Sequence, residues 1–427
     1  MPSERTLSKE VNLPSPGMFG DRIIEAANSL ARWSDSADGL SCTYLGPAHR
    51  AVAGELCGWM TQAGLQAHID GVGNVVGRYP SARPNAKTLV IGSHYDTILN
   101  AGRYDGRLGI VTGLAVAEHL AKTAVALPFH LEVIGFSEEE GVRFPLPYIG
   151  SAALAGRFDR QWLERADAEG VTLSSAMRDA GLNPDAISTL ARKSEDLAGY
   201  VEVHIEQGPI LLHENLPLGI VSSIAGAARF TLTITGDAGH AGTVPMALRR
   251  DALAAAAEIT LLVEKRCAAA PRLVGTVGRV QVANAASNVI PGRCDLSLDV
   301  RAADDRVRDT AIDDLRAGIA KIQARRNVTI EIKELSRTPA VACSPHLRAH
   351  LAQAITDAGI TPFSLDSGAG HDAVMFDGLT EVAMLFVRCG NGGISHSPRE
   401  TVTPEDADAG ARVLLQTILA LAAENAN

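Results

Sequence analysis

Residues Gly92 to Asp105 read GSHYDTILNAGRYD, and they place a histidine and two carboxylates where a metal ion would be held. The apolar run Thr88 to Gly92 reads as a buried strand. It delivers His94 and Asp96 at its C-terminal end, and a glycine-bearing loop then brings in Asp105 ahead of a helix. Together with Glu140, His204 and His396, His94 and Asp105 make five candidate ligands at strand ends or in loops. Two or three imidazoles with carboxylates suit zinc, manganese, cobalt or nickel better than calcium. A set this size holds two ions if one carboxylate bridges, and Asp is short and rigid enough for that task. Asp96, two residues beyond His94, is placed to accept a hydrogen bond from the imidazole and fix its tautomer.

The adjacent Glu139 and Glu140 extend the case. Metal-assisted hydrolysis needs a carboxylate ligand and a separate base for the attacking water, and neighbouring glutamates at a strand end can divide those tasks. Glu138 reads as a solvated turn residue. Among the histidines, His49, His68, His119, His130, His213, His346 and His350 read as ordinary surface or core residues. His240 and His371 share with His94, His204 and His396 a setting near glycine, serine or an acidic residue at a strand-to-loop junction. Other schemes find no footing. The chain has no HExxH pair, no GxSxG elbow and no GxxxxGK[ST] phosphate loop. Gly71-Val-Gly73 lacks the continuation of a dinucleotide fingerprint, and Cys389 has no evident base beside it.

The elements that must position these residues follow from hydrophobic period. Gly20 to Ser34 and Pro47 to Ala63 have helical spacing, and Ala67 to Gly77 reads as a hairpin. Leu108 to Thr123 is apolar nearly all round, which predicts a buried helix. Phe129 to Phe136 and Tyr200 to Ile205 are strands that end in Ser-Glu-Glu-Glu and in Glu-Gln-Gly. Strands alternating with helices predict an α/β core, in which function collects beyond the strand C-termini. From Leu218 an initial connecting strand over Ile220 to Ala225 is followed by the pattern β-α-β-β-α-β: strands over Ala228 to Gly236, Val274 to Ala283, Cys294 to Arg301 and Val328 to Glu334, with helices over Pro245 to Arg266 and Arg306 to Ala324. Residues 218–335 are therefore expected to form an inserted α+β domain, and 1–217 with 336–427 a discontinuous catalytic domain that closes with Met384 to Arg388, His396 and a C-terminal helix.

A chain of 427 residues is too long for one core, so two domains are also the prior from length. The net charge of −10 with no basic run argues against nucleic acid or an anionic membrane as partner. Six cysteines without CxxC spacing, a polar N-terminus and no apolar run of about 18 residues predict a cytoplasmic protein with reduced thiols.

GSHYDT with Asp105, FSEEEGVRF, VEVHIEQGP, AGHAGTVPM, NVIPG, SGAGHDA and ISHSP occur in one order between residues 92 and 398. In this the chain resembles the hydantoinase/carbamoylase branch of the dinuclear metallopeptidase-like amidohydrolases, which includes N-carbamoyl-L-amino acid hydrolases, β-ureidopropionases and allantoate amidohydrolases. The resemblance implies a zinc-peptidase-like α/β domain with an inserted ferredoxin-like lid and dimerisation domain. It implies two divalent ions, zinc first, with manganese, cobalt or nickel as alternatives. His94, Asp105 and His204 would hold one, and Asp105, Glu140 and His396 the other. Glu139 would be the general base and Asp96 the support of His94. Gln207, His240, Asn288 and Arg301 match positions that contact substrate. Arg301 would pair with a carboxylate, and His240 would stabilise the oxyanion from across a dimer interface. The implied reaction is hydrolysis of a small ureido carboxylate to ammonia and carbon dioxide, and Arg143-Phe144-Pro145 resembles the allantoate enzymes. An aminoacylase or dipeptidase on the same scaffold is the nearest rival reading, and a non-catalytic binding protein a more distant one.

Overall fold

In the computed structural model, which describes residues 15–425, the apolar run at the centre of the motif forms the strand Thr88–His94 with every residue buried. The polar N-terminal segment lies outside the described residues. Continuous burial means that both faces of the strand are covered, as in the middle of a parallel sheet. Its neighbours bear this out. His130–Phe136 and Leu197–Ile205 flank Thr88–His94 in parallel, and Val382–Val387 runs parallel to Leu197–Ile205. Antiparallel strands extend the sheet on both sides. Val75–Tyr79 and then Gln66–Ile69 lie beyond His130–Phe136, and Leu218–Ile224 lies beyond Val382–Val387. The predicted hairpin is the antiparallel pair Gln66–Ile69 and Val75–Tyr79. The four parallel strands all point their C-terminal ends the same way, so the loops after His94, Phe136, Ile205 and Val387 open at one edge.

The helix Arg107–Lys122 is buried along nearly its whole length, as its apolar circumference predicts. Its first turns lie so close to the sheet that a Cβ added at Gly109 would come within 2.0 Å of the Val203 carbonyl oxygen. The helices Gly20–Leu30, Pro47–Gln62 and Pro404–Glu424 complete this core, with Ile23, Val52, Leu56, Leu414 and Ile418 among its buried residues.

The described chain forms two compact units. One runs through Ser222 and takes up Cys343–Leu365 and the chain from His371 onward, and the other comprises Ser223–Ala342 and Asp366–Gly370. The second unit has its own antiparallel sheet, ordered Val280–Val282, Arg293–Ala302, Gly226–Thr235, Thr329–Thr338, with Leu273–Thr276 also paired to Arg293–Ala302. Alternate residues of Gly226–Thr235 and Arg293–Ala302 face a core shared with the helices Ala252–Ala268 and Asp305–Arg326. Two expectations here need correction. The Ala-rich helix starts at Ala252 rather than Pro245, because Asp251 caps it by accepting from the Ala254 N–H at 3.0 Å. The single strand expected over Val274 to Ala283 is two short strands, Leu273–Thr276 and Val280–Val282, on the same partner.

Candidate metal centre

The sheet edge brings five of the predicted ligands together. His94 ends its strand fully buried, with Nδ1 3.2 Å from the Asp96 backbone carbonyl and 3.3 Å from Asp96 Oδ1. Both neighbours are oxygen acceptors, so Nδ1 carries the proton and the Nε2 lone pair faces inward. His204 repeats the arrangement, with Nδ1 2.9 Å from the Ile205 carbonyl. Burial lowers its pKa to about 4, which keeps the ring neutral as a ligand must be. The two Nε2 atoms lie 3.5 Å apart.

Asp105 stands between two groups of donors. Its Oδ1 lies 3.3 Å from His204 Nε2 and 3.7 Å from His94 Nε2, while its Oδ2 lies 3.1 Å from His396 Nε2. His396 Nε2 is also 3.6 Å from Glu140 Oε1. Gly106 makes this placement possible. At φ +66° it turns the chain from Asp105 into the helix, and a Cβ there would lie 2.5 Å from the His94 ring. Glu400 holds the loop from the other side. Its Oε1 accepts from the Tyr104 and Asp105 N–H groups at 2.8 and 3.1 Å, and its Oε2 accepts from the Ser395 hydroxyl at 2.8 Å. One carboxylate thus ties the Asp105 loop to the His396 loop.

Asp96 does more than face His94. Its Oδ1 accepts from the Glu139 N–H at 3.0 Å and its Oδ2 from the Glu140 N–H at 3.1 Å. It therefore locks the end of one strand to the end of the next. The Asp70–Asn74 turn braces the same loop from behind. Asn74 Oδ1 accepts from the Ser137 N–H at 3.0 Å, and His49 Nε2 donates to the Ser137 carbonyl at 2.6 Å. Burial, then the neighbouring Glu140, raises the Glu139 pKa well above the carboxylate range. Burial, then Asp105, raises that of Glu140 to about 7.

Residues 65–420 match the profile of peptidase family M20/M25/M40. The chain belongs to that family. It is 40% identical over 364 residues to the N-carbamoyl-L-amino acid amidohydrolase of Geobacillus stearothermophilus, covering 85% of this chain and 89% of the relative. It is 39% identical over 423 residues to allantoate deiminase 2 of Glycine max, covering 92% of this chain and 87% of the relative. Its backbone matches an amidase of the hydantoinase/carbamoylase family from Burkholderia multivorans with a TM-score of 0.88, at 32% identity and with 94% and 98% of the two chains covered. This member of family M20/M25/M40 is thus of the hydantoinase/carbamoylase type, a hydrolase of amide-type C–N bonds.

Proteins of family M20/M25/M40 are typically metal-dependent, and the residues here fit a metal. His94, Asp105 and His204 form one convergent donor group, and Asp105, Glu140 and His396 form another. Asp105 Oδ1 is buried without a hydrogen-bond partner. Burial opposes a proton on His94, yet the adjoining carboxylates of Asp105 and Asp96 outweigh it and raise its pKa well above normal. Positive charge is therefore favoured between these side chains. Glu138, Glu139, Glu140 and Asp372 have raised pKa values, first from burial and then from acidic neighbours, and burial raises that of Glu202 to about 7. A carboxylate-rich pocket of this kind is short of cations, which divalent ions supply.

Other positions depart from the sequence reading or add to it. Glu138 is fully buried rather than solvated, because the turn that bears it is folded inward under the Asp96 clamp. Glu202 and His371 lie behind His204, and the three form a further convergent group. Glu202 accepts from Tyr200 at 2.9 Å and from the Ala373 N–H at 3.1 Å. Its setting in an alternating strand was the available signal, since a carboxylate on a strand buried on both faces needs partners. Gln207 Nε2 donates to Asp105 Oδ2 at 3.0 Å and lies 3.3 Å from His396 Nε2. Phe144 is buried in a side core with Tyr44, Ile149 and Met177, and Arg143 bonds Asp167 and the Tyr44 carbonyl. Packing thus holds Phe144 in place, and hydrogen bonds hold Arg143. His240, Asn288 and Arg301 belong to the second unit. His240 is exposed, and the Ala241 N–H beside it donates to the Asn288 carbonyl at 2.9 Å. Arg301 makes a bidentate pair with Asp299 at 2.9 and 3.1 Å.

Proposed function

We propose that this protein hydrolyses the carbamoyl C–N bond of a small N-carbamoyl carboxylate, allantoate or an N-carbamoyl-L-amino acid, releasing carbamate that breaks down to ammonia and carbon dioxide. The observation that carries the reading is Asp105, which turns one oxygen toward His94 and His204 and the other toward His396, with Glu140 beside it. In this arrangement His94, Asp105 and His204 would hold one divalent ion, and Asp105, Glu140 and His396 would hold a second. Zinc is favoured by the imidazole and carboxylate donors, with manganese, cobalt or nickel as alternatives. When bound, the ions supply Lewis-acid polarisation of the ureido carbonyl and acidify water. Glu139, buried beside Glu140 at the strand end, takes the proton from the attacking water and returns it to the leaving nitrogen. Asp96 holds Glu139 and Glu140 by their backbone N–H groups, so the base stays fixed relative to His94.

The second unit, in the role of lid and dimerisation domain, contributes His240 as donor to the developing oxyanion across a homodimer interface. Asn288 and Gln207 orient the ureido group, and Arg301, pre-positioned by Asp299, pairs with the substrate carboxylate. No helix among the described residues is long and apolar enough to cross a membrane. The names of the relatives divide between carbamoyl amino acids and allantoate, and both substrates share the ureido carboxylate that these residues would read. The test is ammonia release by metal-replete protein from allantoate and from N-carbamoyl-L-amino acids, set against amine release from dipeptides and N-acyl amino acids. Turnover of the latter alone would sink the proposal.

A further inference from the structure

Two histidines that read as ordinary in the sequence stand one turn apart on the helix Pro345–Asp357, where positions i and i+4 share a face. Both turn Nε2 toward one oxygen of Glu424, the last residue of the helix Pro404–Glu424. His346 Nε2 lies 3.1 Å and His350 Nε2 2.8 Å from Glu424 Oε2, and the two nitrogens are 3.3 Å apart. A first-row divalent ion with bonds of about 2.0–2.1 Å sets its donors about 2.9 Å apart at right angles and about 3.4 Å apart in a tetrahedron. The triangle of donors matches that range to about 0.1 Å.

The tautomers sharpen the point. His346 Nδ1 lies 2.9 Å from Glu381 Oε2, and the other Glu381 oxygen accepts from the Ser344 hydroxyl at 2.6 Å. An ionised carboxylate only accepts, so Nδ1 carries a proton. Nε2 then faces Glu424 either with a second proton or with a bare lone pair, and a lone pair aimed at a carboxylate is repelled. A cation belongs in that space. His350 turns its Nε2 to the same oxygen, and one divalent ion satisfies all three donors at once. The Nδ1–H held by Glu381 is the carboxylate–histidine support that raises ligand basicity at metal sites. The side chains of His346, His350 and Glu424 are 42%, 22% and 51% exposed, so water can complete the coordination shell.

We propose that His346, His350 and Glu424, backed by Glu381, bind one first-row divalent ion of the zinc or nickel class. The ion would fasten the end of the C-terminal helix to the Pro345–Asp357 helix. The site shares no residue with the centre around Asp105, and it stands whether or not the proposed reaction is correct.

Chelator-stripped full-length protein is titrated with zinc chloride by calorimetry, and bound zinc is counted after gel filtration. The wild-type chain is expected to hold one more ion than the His346→Gln/His350→Gln variant and to gain more in melting temperature on zinc addition. Glu381→Gln should keep this ion with affinity about 10- to 100-fold weaker, a change that a purely structural hydrogen bond would not produce. Glu424→Gln, at the helix end, repeats the count if the double variant folds poorly by circular dichroism. Equal zinc counts in the wild type and the folded variants would overturn the proposal, as would an unchanged zinc affinity in Glu381→Gln.

Discussion

Replacing Asp96 by Asn separates its two duties. Asp96 is buried, and its oxygens accept from the Glu139 and Glu140 N–H groups at 3.0 and 3.1 Å while facing His94 Nδ1 at 3.3 Å. Asn retains one acceptor and presents an NH2 group where the other stood, so one backbone N–H is left facing a donor. Hydrogen bonds to a charged acceptor contribute about 1.5–3 kcal/mol each, and stranding a buried donor costs about 1–3 kcal/mol. Loss of one bond and the stranded N–H together come to about 2.5–6 kcal/mol of stability. His94 also loses the carboxylate that fixes its tautomer, a change that lowers metal affinity about 10- to 100-fold. Displacement of Glu139 by even a fraction of an ångström should cut kcat further, by about 100-fold if it reaches 1 Å. Denaturant melts, metal titration of the stripped protein and ammonia release measure the three effects independently. If Asp96→Asn lost stability alone, with metal affinity and kcat intact, the coupling between the two strand ends would be refuted.

Two further perturbations test the scaffold beneath the site. His49 is buried with a pKa lowered to about 4 from 6.5, first by burial. Its neutral form therefore contributes stability that is full above about pH 6.5 and is lost as pH falls toward 4, about 3 kcal/mol in all. His49→Gln should lose that part of the acid sensitivity, and a stability difference from wild type that stays constant between pH 7 and 4 would contradict the assignment. Gly109→Ala gains helix propensity of about 1 kcal/mol but places a Cβ 2.0 Å from the Val203 carbonyl oxygen and 2.8 Å from Ser93 Cβ. Overpacking of this kind costs about 1–3 kcal/mol, and the backbone oxygen cannot swing aside, so thermal melts should show net destabilisation. A variant as stable as wild type would contradict the close packing of helix on strand.

The fold was legible where chemistry and period coincide. The run before His94 is apolar without interruption, and only a strand covered on both faces buries such a run, so its end was marked as a site before any neighbour was known. Glu138 was opaque for the converse reason. Three successive glutamates look solvated unless Asp96, more than forty residues away in the chain, is seen holding the next two N–H groups. The start of the helix at Ala252 depended on a single cap, Asp251, within a segment whose composition is helical throughout. His346 and His350 show a spacing common on any helix, and their meaning rests on Glu424 and Glu381, which only the folded chain brings to them. Gln207 and Arg301 were singled out by resemblance, but the pairing of Gln207 with Asp105 and of Arg301 with Asp299 only the folded chain shows.

The central claim is that Glu139 moves the proton in a metal-assisted cleavage of a ureido C–N bond. Its most direct test is ammonia release from allantoate and N-carbamoyl-L-amino acids by wild type and Glu139→Gln, with bound metal counted in both. The account predicts equal metal content and a loss of turnover of about 100- to 10,000-fold in the variant. Turnover retained by Glu139→Gln at full metal content, or no ammonia from either substrate with metal-replete wild type, would contradict it.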